Sequence, residues 1–307
     1  MNRMNRGCSA CRPGYGVSRL NFSVRTHGTL FWRAVFLTIS LKDGAYMFSV
    51  QHIIWIVISV VLIAVDVILL NKKRPPLKKV LDWAVVFCVA SEFVKVFSCI
   101  EMVPSADGSI IYPYLELKHL PLHLCSIQLI FIFYCRFAKG GINESPTKQF
   151  LLSFMYPTCA IGAMFAILLP SIFSTTITVR QAFTHPIAYQ TFIYHAMLIA
   201  LGIYIPMSGE VSFSWKSYRK TMGFFGLITF VMIYLNSLFA SETYENGKLV
   251  SVDHATNFFF LYRTPIGIEL KTKLAWFVYL LILVALAFLL IWLLYLPLRR
   301  SRCWEKD

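Results

Sequence analysis

Several side chains capable of chemistry are crowded at the beginning of one apolar segment, in the stretch ELKHLPLHLCSIQ at residues 116–128. The polar members that follow its first two charges are His119, His123, Cys125, Ser126 and Gln128. Polar groups in such a segment are costly to bury unless they have partners or a function. A thiol near an imidazole can act as a nucleophile with its base, so this stretch points to acyl transfer through Cys125.

The same stretch leaves other chemistries open. Glu116, His119 and His123 have i, i+3, i+7 spacing, and His195 could supply a fourth ligand to a metal ion. Polar residues could instead line the path of a transporter or channel, or the histidines and the thiol could serve helix packing alone. No cofactor is predicted.

Helical periodicity bears on which of these groups face each other. On an ideal helix, His119, His123 and Ser126 share one face, whereas Cys125 and Gln128 lie on another. Pro121 distorts this turn, so the relation between Cys125 and the histidines depends on the local backbone.

The composition places these groups in a membrane protein. Of the 307 residues, 57% are hydrophobic and 14% are charged, against about 25% charged in soluble domains. The apolar residues form blocks of about 20, long enough to cross a bilayer as helices. We predict an all-α polytopic membrane bundle of seven transmembrane helices, at residues 50–70, 82–100, 118–137, 149–170, 189–206, 221–240 and 274–296.

The net charge of +14 is interpreted as a topology signal and not as a nucleic-acid footprint. Most lysines and arginines fall in alternate loops and the tail, which predicts a chain that is N-out from Met47 and C-in. Residues 1–46 are basic but would lie outside, so we interpret them as a poorly ordered extension or a start-site artefact. Residues 47–300 form the transmembrane domain and 301–307 a cytoplasmic tail. The predicted location is the cell membrane, the predicted partners are membrane lipids, and the oligomeric state is left open.

This topology brings distant polar features to one leaflet. The third and fifth spans both run from outside to inside, which places His123, Cys125 and His195 near the outer face together with the loop 257–263. In the second span, Glu92 and Lys95 have the i, i+3 spacing of an ion pair. We predict a site with Cys125, His123 and His195 as catalytic residues. The predicted supporting residues are Glu92, Lys95, Ser126, Gln128, Asn257 and Arg263.

Two motifs, HLPLHLCSIQL and ATNFFFLYRTP, resemble the YwaF family of bacterial integral membrane proteins, a similarity that covers about residues 47 to 300. More distantly, the chain is similar to a eukaryotic transmembrane acyltransferase family that places polyunsaturated acyl chains on ether phospholipids. That resemblance implies a lipid acyltransferase or hydrolase, in which His123 and His195 match the family histidines and Glu92 and Lys95 match a charged pair. The family cysteine falls at Leu122 here, three residues before Cys125, which leaves Cys125 as the candidate nucleophile. The alternative is a transporter or a lipid-binding membrane protein without enzymatic activity.

Overall fold

The computed structural model describes residues 48–105, 107–245, 248–265, 268–301 and 303–305, so the predicted extension 1–46 lies outside the described part. Seven helices of 14 to 26 residues dominate the described residues. They are α1 (Val50–Lys73), α2 (Leu77–Cys99), α3 (Leu124–Phe137), α4 (Pro146–Leu168), α5 (Pro186–Met207), α6 (Trp215–Leu238) and α7 (Lys273–Leu298). A single helical turn, Ile172–Thr175, precedes α5.

Each predicted span corresponds to one of these helices, which confirms the all-α membrane class. Five helices in the described part, α1, α4, α5, α6 and α7, are long and apolar enough to cross a membrane by themselves. The other two are the charge-bearing α2 and the 14-residue α3. The count of seven spans and the orientation therefore remain predictions.

Helices α4 and α5 form the centre of the bundle. Helix α5 packs against α1, α2 and α4, and α3 packs against α2 and α4. By contrast, α1 and α7 present apolar side chains outward, for example Val60 and Ile68 on α1 and Leu281 and Ile282 on α7. This distribution fits a bundle whose outer helices face lipid, where apolar side chains cost nothing to expose.

A glycine sets the close approach of the two central helices. A Cβ atom at Gly202 of α5 would lie 3.0 Å from the Tyr156 carbonyl oxygen and 3.2 Å from the Cβ of Cys159, both on α4. Small residues allow such backbone approach in membrane bundles. Gly202 therefore fixes the distance between α4 and α5.

We expect Gly202→Ala to destabilise the protein by about 1–3 kcal/mol, since overpacking forces backbone shifts. The measurement is thermal unfolding in detergent. The matched control is Gly226→Ala on α6, where a new Cβ would meet no atom within 4 Å. An unchanged unfolding temperature for Gly202→Ala would contradict the close packing.

Two β-hairpins, which the sequence analysis missed, follow the ends of α2 and α6. In the first, β1 (Glu101–Pro104) pairs with β2 (Ile111–Tyr114). In the second, β3 (Ala240–Glu245) pairs with β4 (Lys248–His254), where a loop was predicted. Their strands are short and exposed, so they lack the one-sided burial that would give an alternating hydrophobic pattern.

Candidate active site

The segment before α3 departs from the predicted helix 118–137. Residues Leu117–His119 form a single 3-10 turn, and the backbone at Leu120 is extended (φ −57°, ψ 145°) because it precedes Pro121. Helix α3 begins only at Leu124, with His123 as its N-cap residue. The prediction that His119, His123 and Ser126 share one helical face is therefore wrong, because Pro121 separates the turn from the helix.

The start of α3 brings Cys125 to His195 of α5. The Cys125 thiol and the His195 ring lie within hydrogen-bonding range of each other. The approach is loose, because Nε2 of His195 has no hydrogen-bond partner of conventional geometry among the described residues. Catalytic hydrogen bonds are often this loose before substrate binds. The proximity of Cys125 to His195, which helical periodicity alone could not predict, is thus present.

The backbone of α5 fixes the tautomer of His195. Its Nδ1 atom lies 2.5 Å from the carbonyl oxygen of Thr191, one turn earlier on the same helix. A carbonyl oxygen only accepts hydrogen bonds, so Nδ1 carries the proton and Nε2 of the neutral ring has a free lone pair. The His195 side chain is 7% exposed and its free nitrogen faces the thiol. This arrangement is the one a general base requires.

Helix α2 supplies charge to the same place. Lys95 Nζ lies 2.6 Å from Glu92 Oε2, so the ion pair predicted from their spacing is present. The Lys95 ammonium also lies within charge-interaction range of Cys125, His123 and His195. Its positive charge has the sign that stabilises a thiolate or an oxyanion nearby.

His123 and Ser126 flank the cysteine. The Ser126 hydroxyl lies within hydrogen-bonding range of the Cys125 sulfur. The His123 ring donates to the backbone carbonyl of Lys118 and packs edge-on against Phe258, with ring centroids 5.0 Å apart. The His123 ring is therefore engaged with the polypeptide around the thiol, while the imidazole that lies next to the thiol is that of His195.

Three predicted supporting residues have structural partners of their own. Gln128 Nε2 donates to Leu124 O and Thr158 Oγ1, both at 3.0 Å. Asn257 holds its own loop together by accepting from the backbone N–H groups of residues 262 and 263. Arg263 pairs, at 3.0 Å, with Asp253 of the exposed strand β4.

A comparison with known families agrees with this architecture. Residues 47–296 match the sequence model of the TMEM164 family, a family of transmembrane proteins. The chain belongs to the TMEM164 family. No curated protein and no solved structure matches it. As a TMEM164 family member with several membrane-length helices, the chain is a multi-pass integral membrane protein.

Two residues that the sequence analysis did not identify also build the site in this TMEM164 family member. Tyr194, next to His195, donates its hydroxyl to the backbone carbonyl of Cys125 at 3.1 Å and so joins α5 to the start of α3. Asn236 is fully buried on α6 and holds the loop that carries Phe258. A lone asparagine inside an apolar span is a sequence signal that could have identified Asn236.

Asn236 makes three hydrogen bonds to that loop. Its Nδ2 donates to Phe258 O at 3.1 Å, and its Oδ1 accepts from Phe258 N at 2.8 Å and Thr256 Oγ1 at 3.0 Å. The loop needs this support, because Phe259 and Phe260 have φ angles of 59° and 56°, a conformation that costs side-chain-bearing residues about 1–3 kcal/mol each.

We expect Asn236→Leu to destabilise the loop 256–260 by about 2–4 kcal/mol, because three buried groups lose their partners. The measurement is the rate of limited proteolysis within this loop, together with thermal unfolding. Thr229→Val is the matched control, since within the described part of the chain the Thr229 hydroxyl donates to Phe225 O on its own helix. Equal proteolysis of the two variants would contradict this role for Asn236.

The metal hypothesis receives no geometric support. Among the described residues, no three His, Cys, Asp or Glu side chains converge as a ligand set. Glu116 pairs instead with Lys118, with 2.7 Å between Oε2 and Nζ. His119 lies in the separate 3-10 turn, whereas His123 is the N-cap of α3. Glu116, His119 and His123 therefore do not have the i, i+3, i+7 relation of one continuous helix, which was the basis for grouping them with His195 around a metal ion.

Proposed function

We propose that this TMEM164 family protein is a lipid-active acyltransferase or acyl-ester hydrolase, with Cys125 as nucleophile and His195 as general base. The observation that carries the proposal is the pairing of the Cys125 thiol with the unprotonated Nε2 of a buried histidine. The resemblance to YwaF proteins and to ether-phospholipid acyltransferases supports the same class of reaction. It assigns a histidine at the position of His195 and a charged pair at Glu92 and Lys95.

The first half-reaction transfers an acyl group to the enzyme. The Cys125 proton moves to Nε2 of His195, and the thiolate sulfur attacks the carbonyl carbon of a lipid ester. The tetrahedral intermediate then collapses as its C–O bond breaks. The leaving alkoxide takes the proton from His195, which yields a thioester on Cys125 and a lipid alcohol.

The second half-reaction releases the acyl group. An acceptor hydroxyl gives its proton to Nε2 of His195 and attacks the thioester carbonyl, after which the C–S bond breaks and Cys125 recovers the proton. A lipid alcohol as acceptor makes the protein a transferase, and water as acceptor makes it a hydrolase. The chemistry of the residues is the same in both cases.

The electrostatics around Cys125 suit this cycle. Cys125 lies in the first turn of α3, where backbone N–H groups carry partial positive charge, and the N-cap His123 makes no side-chain hydrogen bond to them. These N–H groups and the Lys95 ammonium are the donors available to an oxyanion. Asn257, one of the predicted supporting residues, uses its amide for its own loop.

The structure also distinguishes Leu122, the position that matches the family cysteine, from Cys125, the candidate nucleophile in this chain. Leu122 lies in the connection before α3 and packs in an apolar cluster around Phe258 and Leu261. Cys125 instead lies on the first turn of the helix, against α5, where His195 is available. In this proposal the thiol is therefore supplied from the helix and not from the preceding connection.

The proposal is tested by iodoacetamide labelling of the intact protein followed by peptide mass spectrometry. We expect Cys125 to react faster than Cys303, a similarly half-buried cysteine whose thiol donates to Pro206 O. His195→Asn should slow Cys125 labelling to the rate of Cys303, and added phospholipid should protect Cys125. Labelling of Cys125 that is no faster than Cys303 and is insensitive to His195 would favour a packing thiol in a non-enzymatic protein.

A further inference from the structure

The turn between α1 and α2 concentrates positive charge. Its sequence is KKRPPLKK, at residues 72–79, so five lysines and arginines fall within eight residues. All five of these basic residues are exposed. Helix α1 is long and apolar enough to cross a membrane, and Lys72 and Lys73 lie in its last turn. The basic turn 72–79 therefore lies where a membrane-spanning α1 reaches the lipid headgroups.

Tertiary hydrogen bonds hold the backbone of this turn in one conformation. The hydroxyl of Tyr204, near the end of α5, donates to the carbonyl oxygen of Pro75. The backbone N–H of Leu77 donates to Glu210 Oε1 at 2.6 Å, in the connection between α5 and α6. A topology signal requires only that lysines and arginines are present in a loop, whatever its conformation. The fixed backbone indicates a further role for these charges.

Arg74 adopts a backbone conformation that favours glycine. Its φ and ψ angles are 41° and 53°, and its N–H donates to Leu70 O at 2.8 Å, which ends α1. Glycine adopts this left-handed conformation at a helix end without steric cost, whereas a residue with a side chain does not. Strained residues of this kind occur at functional sites, which indicates that the charge of Arg74 is used.

The acidic side chains beside the turn are engaged elsewhere. Asp82 lies four residues after Lys78 on α2, a spacing at which the two could pair, but its partner is Arg136 of α3. Glu210 accepts from a backbone N–H and not from a basic side chain. Within the described part of the chain, no carboxylate forms an ion pair with the five basic side chains of the turn. Their positive charge is therefore available to a partner.

We propose that the turn 72–79 binds the headgroup phosphates of anionic phospholipids at the membrane surface. Phosphate oxygens accept hydrogen bonds from lysine and arginine, and each exposed cation near an anionic leaflet raises the affinity about fivefold. The proposal is independent of the Cys–His site. Cys125 lies in the first turn of α3, whereas Arg136 in the last turn of α3 pairs with Asp82 near the basic turn.

The test measures lipid binding by the full-length protein. The protein is purified in a maltoside detergent and titrated calorimetrically with dioctanoyl phosphatidylserine, with a dioctanoyl phosphatidylinositol bisphosphate, and with neutral dioctanoyl phosphatidylcholine. We expect Lys78→Gln with Lys79→Gln to weaken binding of both anionic lipids about tenfold or more. Binding of the neutral lipid should not change. Unchanged binding of the anionic lipids, or an equal loss for all three lipids, would overturn the proposal.

A second double variant controls for net charge. Lys248→Gln with Lys273→Gln removes the same two charges from exposed positions at the other end of the helices, on β4 and at the start of α7. Anionic-lipid affinity should stay near the wild-type value in this variant. Equal losses in the two double variants would contradict a site at the turn, because the net charge of the protein would then account for the attraction.

Arg74→Gly separates the charge of the turn from its structure. Glycine suits the backbone at this position, so the unfolding temperature should stay the same or rise. Anionic-lipid affinity should nevertheless fall about threefold or more, because one cation is lost. Arg74→Lys keeps the charge and should retain most of the affinity. If Arg74→Gly binds the anionic lipids as tightly as the wild type, the turn is only a connection and the proposal fails.

Discussion

Replacing Cys125 with alanine is expected to lower lipid acyl turnover by at least about 10³-fold, because the covalent intermediate can no longer form. The physical basis is that the Cys125 thiol lies next to a histidine whose Nε2 is free to accept its proton. The measurement is release or transfer of a labelled acyl chain from phospholipid vesicles by the purified protein. Thermal unfolding should change little, since the substitution removes one half-buried sulfur atom.

Cys135→Ala is the matched control for this variant. Cys135 is buried on the same helix, nearly three turns beyond Cys125, and its charged neighbour is Lys148. Its loss should therefore affect stability and leave turnover near the wild-type value. If Cys125→Ala retains turnover within a few fold of wild type, Cys125 is not the nucleophile, whatever its proximity to His195.

Replacing His195 with asparagine is expected to lower turnover about 10²–10⁴-fold, the range associated with loss of a general base. Asparagine is smaller than histidine and polar, but it cannot take the thiol proton and return it to the leaving group. The assay is the same acyl transfer, and the rate of Cys125 alkylation should fall in parallel. A lower alkylation rate distinguishes loss of the base from loss of substrate binding.

His185→Asn provides the control for a histidine on the same helix. His185 is the N-cap of α5, and its Nδ1 accepts from Ile187 N at 3.3 Å. Asparagine is a favoured N-cap residue, so this substitution should preserve both the fold and the turnover. Full activity of His195→Asn, or an equal loss in the two variants, would contradict the assignment of His195 as base.

The sequence allowed the neighbourhood of the site to be predicted but not its internal geometry. Alternating loop charges placed the ends of the third and fifth spans together, and the Cys125–His195 contact is present. Helical periodicity failed locally because Pro121 ends one turn and delays α3 to Leu124. The direction in which the Cys125 side chain points is therefore set by where α3 begins. It cannot be obtained from helical periodicity counted from His119.

Other features had weak or no sequence signals. The Tyr194 hydroxyl bond to the Cys125 carbonyl depends on tertiary packing between α5 and the start of α3. The β1 and β2 strands are exposed on both faces, so no alternation of apolar and polar residues marks them. The spacing of Glu92 and Lys95, by contrast, was sufficient to predict their pairing, because both lie on one regular helix.

The most direct measurement of the central claim is to trap the acyl-enzyme. The purified protein is incubated with phospholipid, quenched in acid, digested and analysed by mass spectrometry, with hydroxylamine treatment to cleave thioesters. We predict an acyl group on the peptide that contains Cys125, removed by hydroxylamine and absent in His195→Asn. Acylation of a different residue, or continued turnover with no acyl group on Cys125, would contradict the proposed Cys–His mechanism.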